Sequence, residues 1–117
     1  METSRTQWRF IKNLPSWRPP TDIYETGEKI IVRIEIAGMH EEDFSIQLNG
    51  RKLSIRGVRP DIAEQRAYHQ MEIRFGEFTL DVEIPTPVAA DQIEAIYMNG
   101  FLQIFLPKLT PRQIQIR

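Results

Sequence analysis

The sequence predicts an all-β fold, an antiparallel β-sandwich, on three observations. From Asp22 onward apolar residues alternate with polar ones, which places one face of each strand in a core and the other toward water. Turn-forming residues stand between the alternating runs: Gly27, Ala37-Gly38, Asn49-Gly50, Gly57, Gly76, Pro85-Thr86-Pro87 and Asn99-Gly100. No long segment keeps a helical period. Six or more short strands within about 85 residues describe two packed sheets.

Taken in order, the runs are Ile30 to Ile36, Phe44 to Leu48, Leu53 to Ile55, Phe78 to Ile84, Ile93 to Tyr97 and Leu102 to Leu106. Asn49-Gly50 and Asn99-Gly100 sit where tight hairpins are expected, because both residue types tolerate positive φ. Val58 to Gln70 does not alternate cleanly and is long for a hairpin link. Phe101, Gln103 and Phe105 occupy the alternate face of the last strand, and two phenylalanines there imply a patch covered by something.

The first residues read differently. Trp8, Ile11 and Leu14 recur at helical spacing among Phe10, Trp17 and the basic Arg5, Arg9, Lys12 and Arg18, and Pro15 stops any helix there. The chain therefore divides into an arm at 1–16, one domain at 17–108 and a tail at 109–117. At 117 residues there is room for a single core.

Composition narrows the function. The net charge of −1 argues against nucleic acid, since phosphate binding needs a concentrated basic surface. The absence of cysteine removes disulfides, thiolate metal sites and thiol nucleophiles, and fits a reducing compartment. No run approaches the roughly 20 apolar residues of a bilayer span, and the N-terminus lacks a signal-peptide pattern. The expected location is cytoplasmic. Phosphate-binding glycine loops and the Gly-x-Ser-x-Gly elbow are absent. His40 and His69 do not make the His-Glu-x-x-His spacing, and the adjacent carboxylates of Glu41, Glu42 and Asp43 point in different directions on a turn. The expectation is a non-enzyme with no catalytic residues, no cofactor and no metal.

Several segments resemble the α-crystallin domain of small heat shock proteins, in its bacterial and plant form. They are Trp17-Arg18-Pro19-Pro20-Thr21-Asp22-Ile23-Tyr24-Glu25, Glu35-Ile36-Ala37-Gly38 with Glu42-Asp43, Leu53-Ser54-Ile55-Arg56-Gly57 and Gly76-Glu77-Phe78. The most specific is Ala95-Ile96-Tyr97-Met98-Asn99-Gly100-Phe101-Leu102, similar to A-x-x-x-N-G-x-L, followed by Leu106-Pro107-Lys108. Ile114-Gln115-Ile116 resembles the family's C-terminal I-x-I element.

The resemblance implies an immunoglobulin-like sandwich that acts as an ATP-independent holdase under stress, with unfolding client proteins and further copies of itself as partners. Trp8, Phe10, Ile11, Leu14 and Trp17 are then the client-binding residues, because aromatic groups on a flexible arm offer large apolar area. Ile114 and Ile116 point the same way on an extended segment, and the resemblance sends them into a groove of a neighbouring subunit near 44–49 and 92–97. It also implies a homodimer, extended to higher oligomers, in which Arg66, Ala67, Tyr68 and His69 cross to pair with the partner's Asp22, Ile23 and Tyr24. Leu80 and Glu83 stand where the family carries basic residues, which implies a weaker or altered dimer contact. A monomeric co-chaperone adaptor of related fold and a ligand-binding sandwich module are the alternatives. A membrane-surface arm is disfavoured, since about ten residues carry little apolar area.

Overall fold

The computed structural model describes residues 16–110 and 115–117. Its seven strands are β1 (Thr21–Glu25), β2 (Lys29–Glu35), β3 (Phe44–Asn49), β4 (Lys52–Arg59), β5 (Gly76–Glu83), β6 (Glu94–Met98) and β7 (Phe101–Pro107). Two single-turn 3-10 helices, Glu41–Asp43 and Ala90–Gln92, precede β3 and β6. One sheet runs β1-β2-β7-β6 and the other β3-β4-β5, with every strand pair antiparallel. This is the predicted sandwich.

The alternation selects the core. Ile30, Val32, Ile34, Leu102, Ile104 and Leu106 from the larger sheet face Leu53, Ile55, Phe78, Leu80 and Val82 from the smaller, and all are buried. Leu80 is 1% exposed and lies opposite Ile55 in the register. Leu80, where the resemblance expects a basic residue, thus serves its own subunit's interior. On the outer face of the small sheet, the Ser54 hydroxyl holds the Asp81 carboxyl below its ordinary range, with Lys52, Arg56 and Arg18 adding to the effect.

Both hairpins close in two residues, by different chemistry. Met98 pairs Phe101 across Asn99-Gly100, whose φ values of 53° and 79° are those of a type I′ turn. Asn49 instead ends β3 opposite Lys52, so that the turn is Gly50-Arg51 and only Gly50 has positive φ, at 62°.

Gly57 is required for a different reason. A Cβ there would stand 2.7 Å from Phe78 Cζ and 2.8 Å from the Asp43 carbonyl oxygen. The ring is fully buried and the carbonyl is backbone, so neither can give easily. Gly57→Ala is expected to destabilise the domain by about 1–3 kcal/mol, the usual cost of overpacking; an unchanged denaturant midpoint would show that the ring can move aside.

Candidate interaction surfaces

The two sheets leave edges, and the candidate site residues gather along them. On one side β3 ends the small sheet and β6 ends the large one. Phe44, Ile46 and Leu48 from β3, with Ile93 and Tyr97 from the β6 side, are only partly buried against the core. Phe44 and Tyr97 bridge the gap, with ring centroids 5.1 Å apart. Ala95 shares the face of Ile93 and Tyr97 and is exposed. Its short side chain leaves the seam open between two larger neighbours.

The same tyrosine holds the adjoining turn. Its hydroxyl donates to the Ile36 carbonyl at 2.8 Å and accepts from the Met39 N–H at 3.3 Å, fixing the exit of β2 to β6. The result is an apolar seam bounded by two strand edges that are unpaired among the described residues, suited to an extended segment with alternate apolar side chains. Ile116 is 97% exposed, while Ile114 lies outside the described residues.

On the opposite side of the large sheet, β1 pairs β2 through Thr21↔Ile34 to Glu25↔Ile30 and has no second neighbour among the described residues. Ile23 and Tyr24 are 45% and 39% exposed there. Asp22 pairs with Arg33 at 2.6 Å, and the Arg33 guanidinium lies over the Tyr24 ring.

The β4–β5 connection runs through residues 60–75. Arg66, Ala67, Tyr68 and His69 are all exposed and form no strand within this subunit. Arg66 instead organises its own loop, binding Asp61 and the Ile62 carbonyl at 2.8 Å each and lying over Tyr68. The loop also exposes Ile62, Met71 and Ile73, at 73%, 58% and 65%. Four large apolar groups with Tyr68 on one connection are unusual for a loop meant to face only water.

Trp17 departs from the expectation that makes it a client-binding residue. It is 8% exposed and forms a parallel bridge with Phe78 at the free edge of β5. Its N–H donates to the Glu77 carbonyl, its carbonyl accepts from Thr79, and its indole donates to Gly76. A client cannot reach a side chain held this way in the folded domain, and Trp17 is a core residue. Trp8, Phe10, Ile11 and Leu14 lie outside the described residues.

Arg59, which sequence reasoning did not single out, joins this region to the loop. Burial lowers its pKa, with Tyr97 acting weakly the other way. Phe105 is half-buried beside Ile31 and Lys29, and Phe101 remains 38% exposed.

Fold and edges together give a two-layer β scaffold of interaction type, with strand edges unpaired among the described residues and half-covered apolar surface beside them. The Hsp20/alpha crystallin family matches residues 22–117, and the chain belongs to that chaperone family. Heat shock protein 16 of Schizosaccharomyces pombe is 33% identical over 107 residues, covering 85% of this chain and 75% of that one. Small heat shock protein C2 of Rickettsia felis is 32% identical over 92 residues, covering 77% of this chain and 60% of its own length. A crystal structure of a small heat-shock protein from Xylella fastidiosa superposes with a TM-score of 0.73 at 30% identity, covering 88% of this chain and 99% of that one.

Proposed function

We propose that this chain is an ATP-independent holdase that captures partly unfolded proteins and keeps them from aggregating. The observation that carries the reading is the open apolar seam between β3 and β6, lined by Phe44, Ile46, Leu48, Ile93 and Tyr97. The arm's Trp8, Phe10, Ile11 and Leu14 supply most of the contact with a client, and the seam holds one extended apolar segment of it, without covalent chemistry. Binding an unfolded or partly folded client shifts its equilibrium by mass action, so no fuel is required. Relatives described as heat shock proteins support thermal stress as the occasion. Light scattering of a model client, heated without ATP in the presence and absence of the protein, tests the reading. Scattering that is unaffected at equimolar protein refutes it.

Self-association follows the same logic. The tail's Ile114 and Ile116 enter the seam of a neighbouring subunit, and the loop at 66–69 adds a strand to the partner's β1. The Xylella fastidiosa protein is described as having a distinct high order structure, which supports assembly beyond the dimer. Fully burying two isoleucines contributes at most about 3–6 kcal/mol, and ordering the tail offsets part of it. Each joint is therefore weak, and several together close a particle. Weak joints suit the task, because opening one exposes the seam. The double variant Ile114→Ala/Ile116→Ala is expected to shrink the particle to dimers in sedimentation velocity, with the melting temperature of the domain unchanged. A particle of unaltered size would remove the tail from the assembly.

A further inference from the structure

Arg59 closes β4 where the long loop begins, and its side chain touches three segments that no regular strand pairing joins. Nε donates to the Arg74 carbonyl at 2.8 Å, and Nη2 donates to the same oxygen. Nη1 reaches the Ala37 carbonyl at 3.5 Å. The guanidinium lies 4.5 Å from the Trp17 ring centroid and 5.3 Å from that of Phe75. None of the ion pairs among the described residues involves it. Its donors are given to backbone carbonyls and its faces to aromatic rings.

This pattern differs from that of an ordinary surface arginine, which pairs with a carboxylate at little net gain. Only a planar fork with five donors can close a loop stem and stack on aromatic faces at once, and a lysine in its place offers a point charge. The loop stem, Arg59 to Arg74–Phe75, and the root of the arm, Trp17, therefore share one group.

We infer that Arg59 is a coupling residue, through which the seating of the arm's root and the order of the 60–75 loop are set together. When Trp17 withdraws, the guanidinium loses an apolar face and water competes for its bonds to Arg74, so the stem loosens. When the stem opens, Trp17 loses the Arg59 cation at 4.5 Å and the more distant Arg74 cation at 6.0 Å from its ring. The consequence is a concerted release: Ile62, Tyr68, Met71 and Ile73 on the loop gain freedom in the same event that frees the arm. The inference concerns one subunit and holds whether or not the loop crosses to a partner.

The full chain offers two clean reporters. Trp8→Phe leaves Trp17 as the single tryptophan, and Met71→Cys supplies a single thiol for a spin label, since the chain has two tryptophans and no cysteine. Acrylamide quenching then reads Trp17, and label mobility reads the loop. Arg59→Lys is expected to raise both opening equilibria about tenfold, the loss of a charge-assisted bond. Phe75→Ala, a change at the loop stem alone, is expected to raise quenching of Trp17 when Arg59 is present and to add nothing in the Arg59→Lys background. A response confined to one reporter, simple additivity of the two substitutions, or no effect of Phe75→Ala on Trp17 would each overturn the coupling. Because the Trp17 indole also reaches the Gly76 carbonyl directly, the Arg59 background is essential, and Arg59→Gln supplies it if Arg59→Lys does not fold.

Discussion

A chain shortened to begin at Ser16 is expected to melt as the full chain does and to lose most of its suppression of client aggregation. The proposed client-binding residues Trp8, Phe10, Ile11 and Leu14 all precede that cut, whereas among the described residues the domain's anchoring contacts begin at Trp17. A chain beginning at Arg18 is expected to behave quite differently. It loses the edge-on contact of Trp17 with Phe78, at 5.9 Å between centroids, together with two backbone bonds to β5 and the indole bond to Gly76. Removing a buried aromatic side chain of this size costs about 3–5 kcal/mol, which for a domain of this length lowers the melting temperature by roughly 12 °C or more. Calorimetry and heated-client scattering on the two chains separate capture from folding, because the two cut sites differ by only two residues. Equal protection by the full chain and the Ser16 chain would take the client-binding role away from the arm. Equal melting of the Ser16 and Arg18 chains would show that Trp17 is dispensable to the core.

The boundary at Trp17 also shows what a sequence can and cannot disclose. Strands with a single buried face announce themselves, because each inward residue repeats at two: Phe78, Leu80, Val82 and Ile84 are all buried, as their spacing requires. The Asn99-Gly100 turn is legible for an equally local reason. Trp17 is not, since its partners Gly76 and Phe78 lie some sixty residues away, and by composition it belongs with Trp8 and Phe10. Arg59 is hidden for the same reason. On β4 it reads as one more polar residue beside Val58, and only the folded chain brings Ala37, Arg74 and Trp17 to it. The seam occupies an intermediate position. Its lining residues stand out as apolar alternators, yet nothing local reveals that β3 and β6 become edges on the same side. That is a property of strand order, which sequence periodicity does not carry. Tyr97 shows both limits in one residue: its ring faces inward as the alternation predicts, while its hydroxyl bond to Ile36 spans the fold.

Replacing residues 62–73 by a short Gly-Ser link is expected to convert the proposed dimer to a monomer while leaving the domain folded. Within one subunit that stretch forms no strand, and its removal takes nothing from the buried core. Across a dimer its contribution is large. Four residues added to the free edge of β1 make about four backbone hydrogen bonds at roughly 1 kcal/mol each, and burial of Tyr68 adds about 1.5–3 kcal/mol. Part of this is offset by ordering the loop, leaving roughly 4 kcal/mol per crossing; a symmetric dimer has two crossings, so the loss is about 8 kcal/mol, or roughly a millionfold in the dissociation constant. The Arg66–Asp61 pair within the loop does not change the sum, because exposed pairs contribute little. Leu80 sharpens the expectation. It lies in the subunit's own core, so it cannot supply the polar dimer contact that an arginine there would make, and Glu83 carries the opposite charge. Fewer charged contacts elsewhere in the interface leave strand addition with a greater share of the affinity. Sedimentation equilibrium over a range of concentrations measures the loss, and Tyr68→Ala, which removes two buried rings per dimer, should give an intermediate value of about 100- to 10,000-fold. A dimer that survives loop replacement with its affinity intact would mean that residues 66–69 close back on their own subunit, and that β1 is covered by something else.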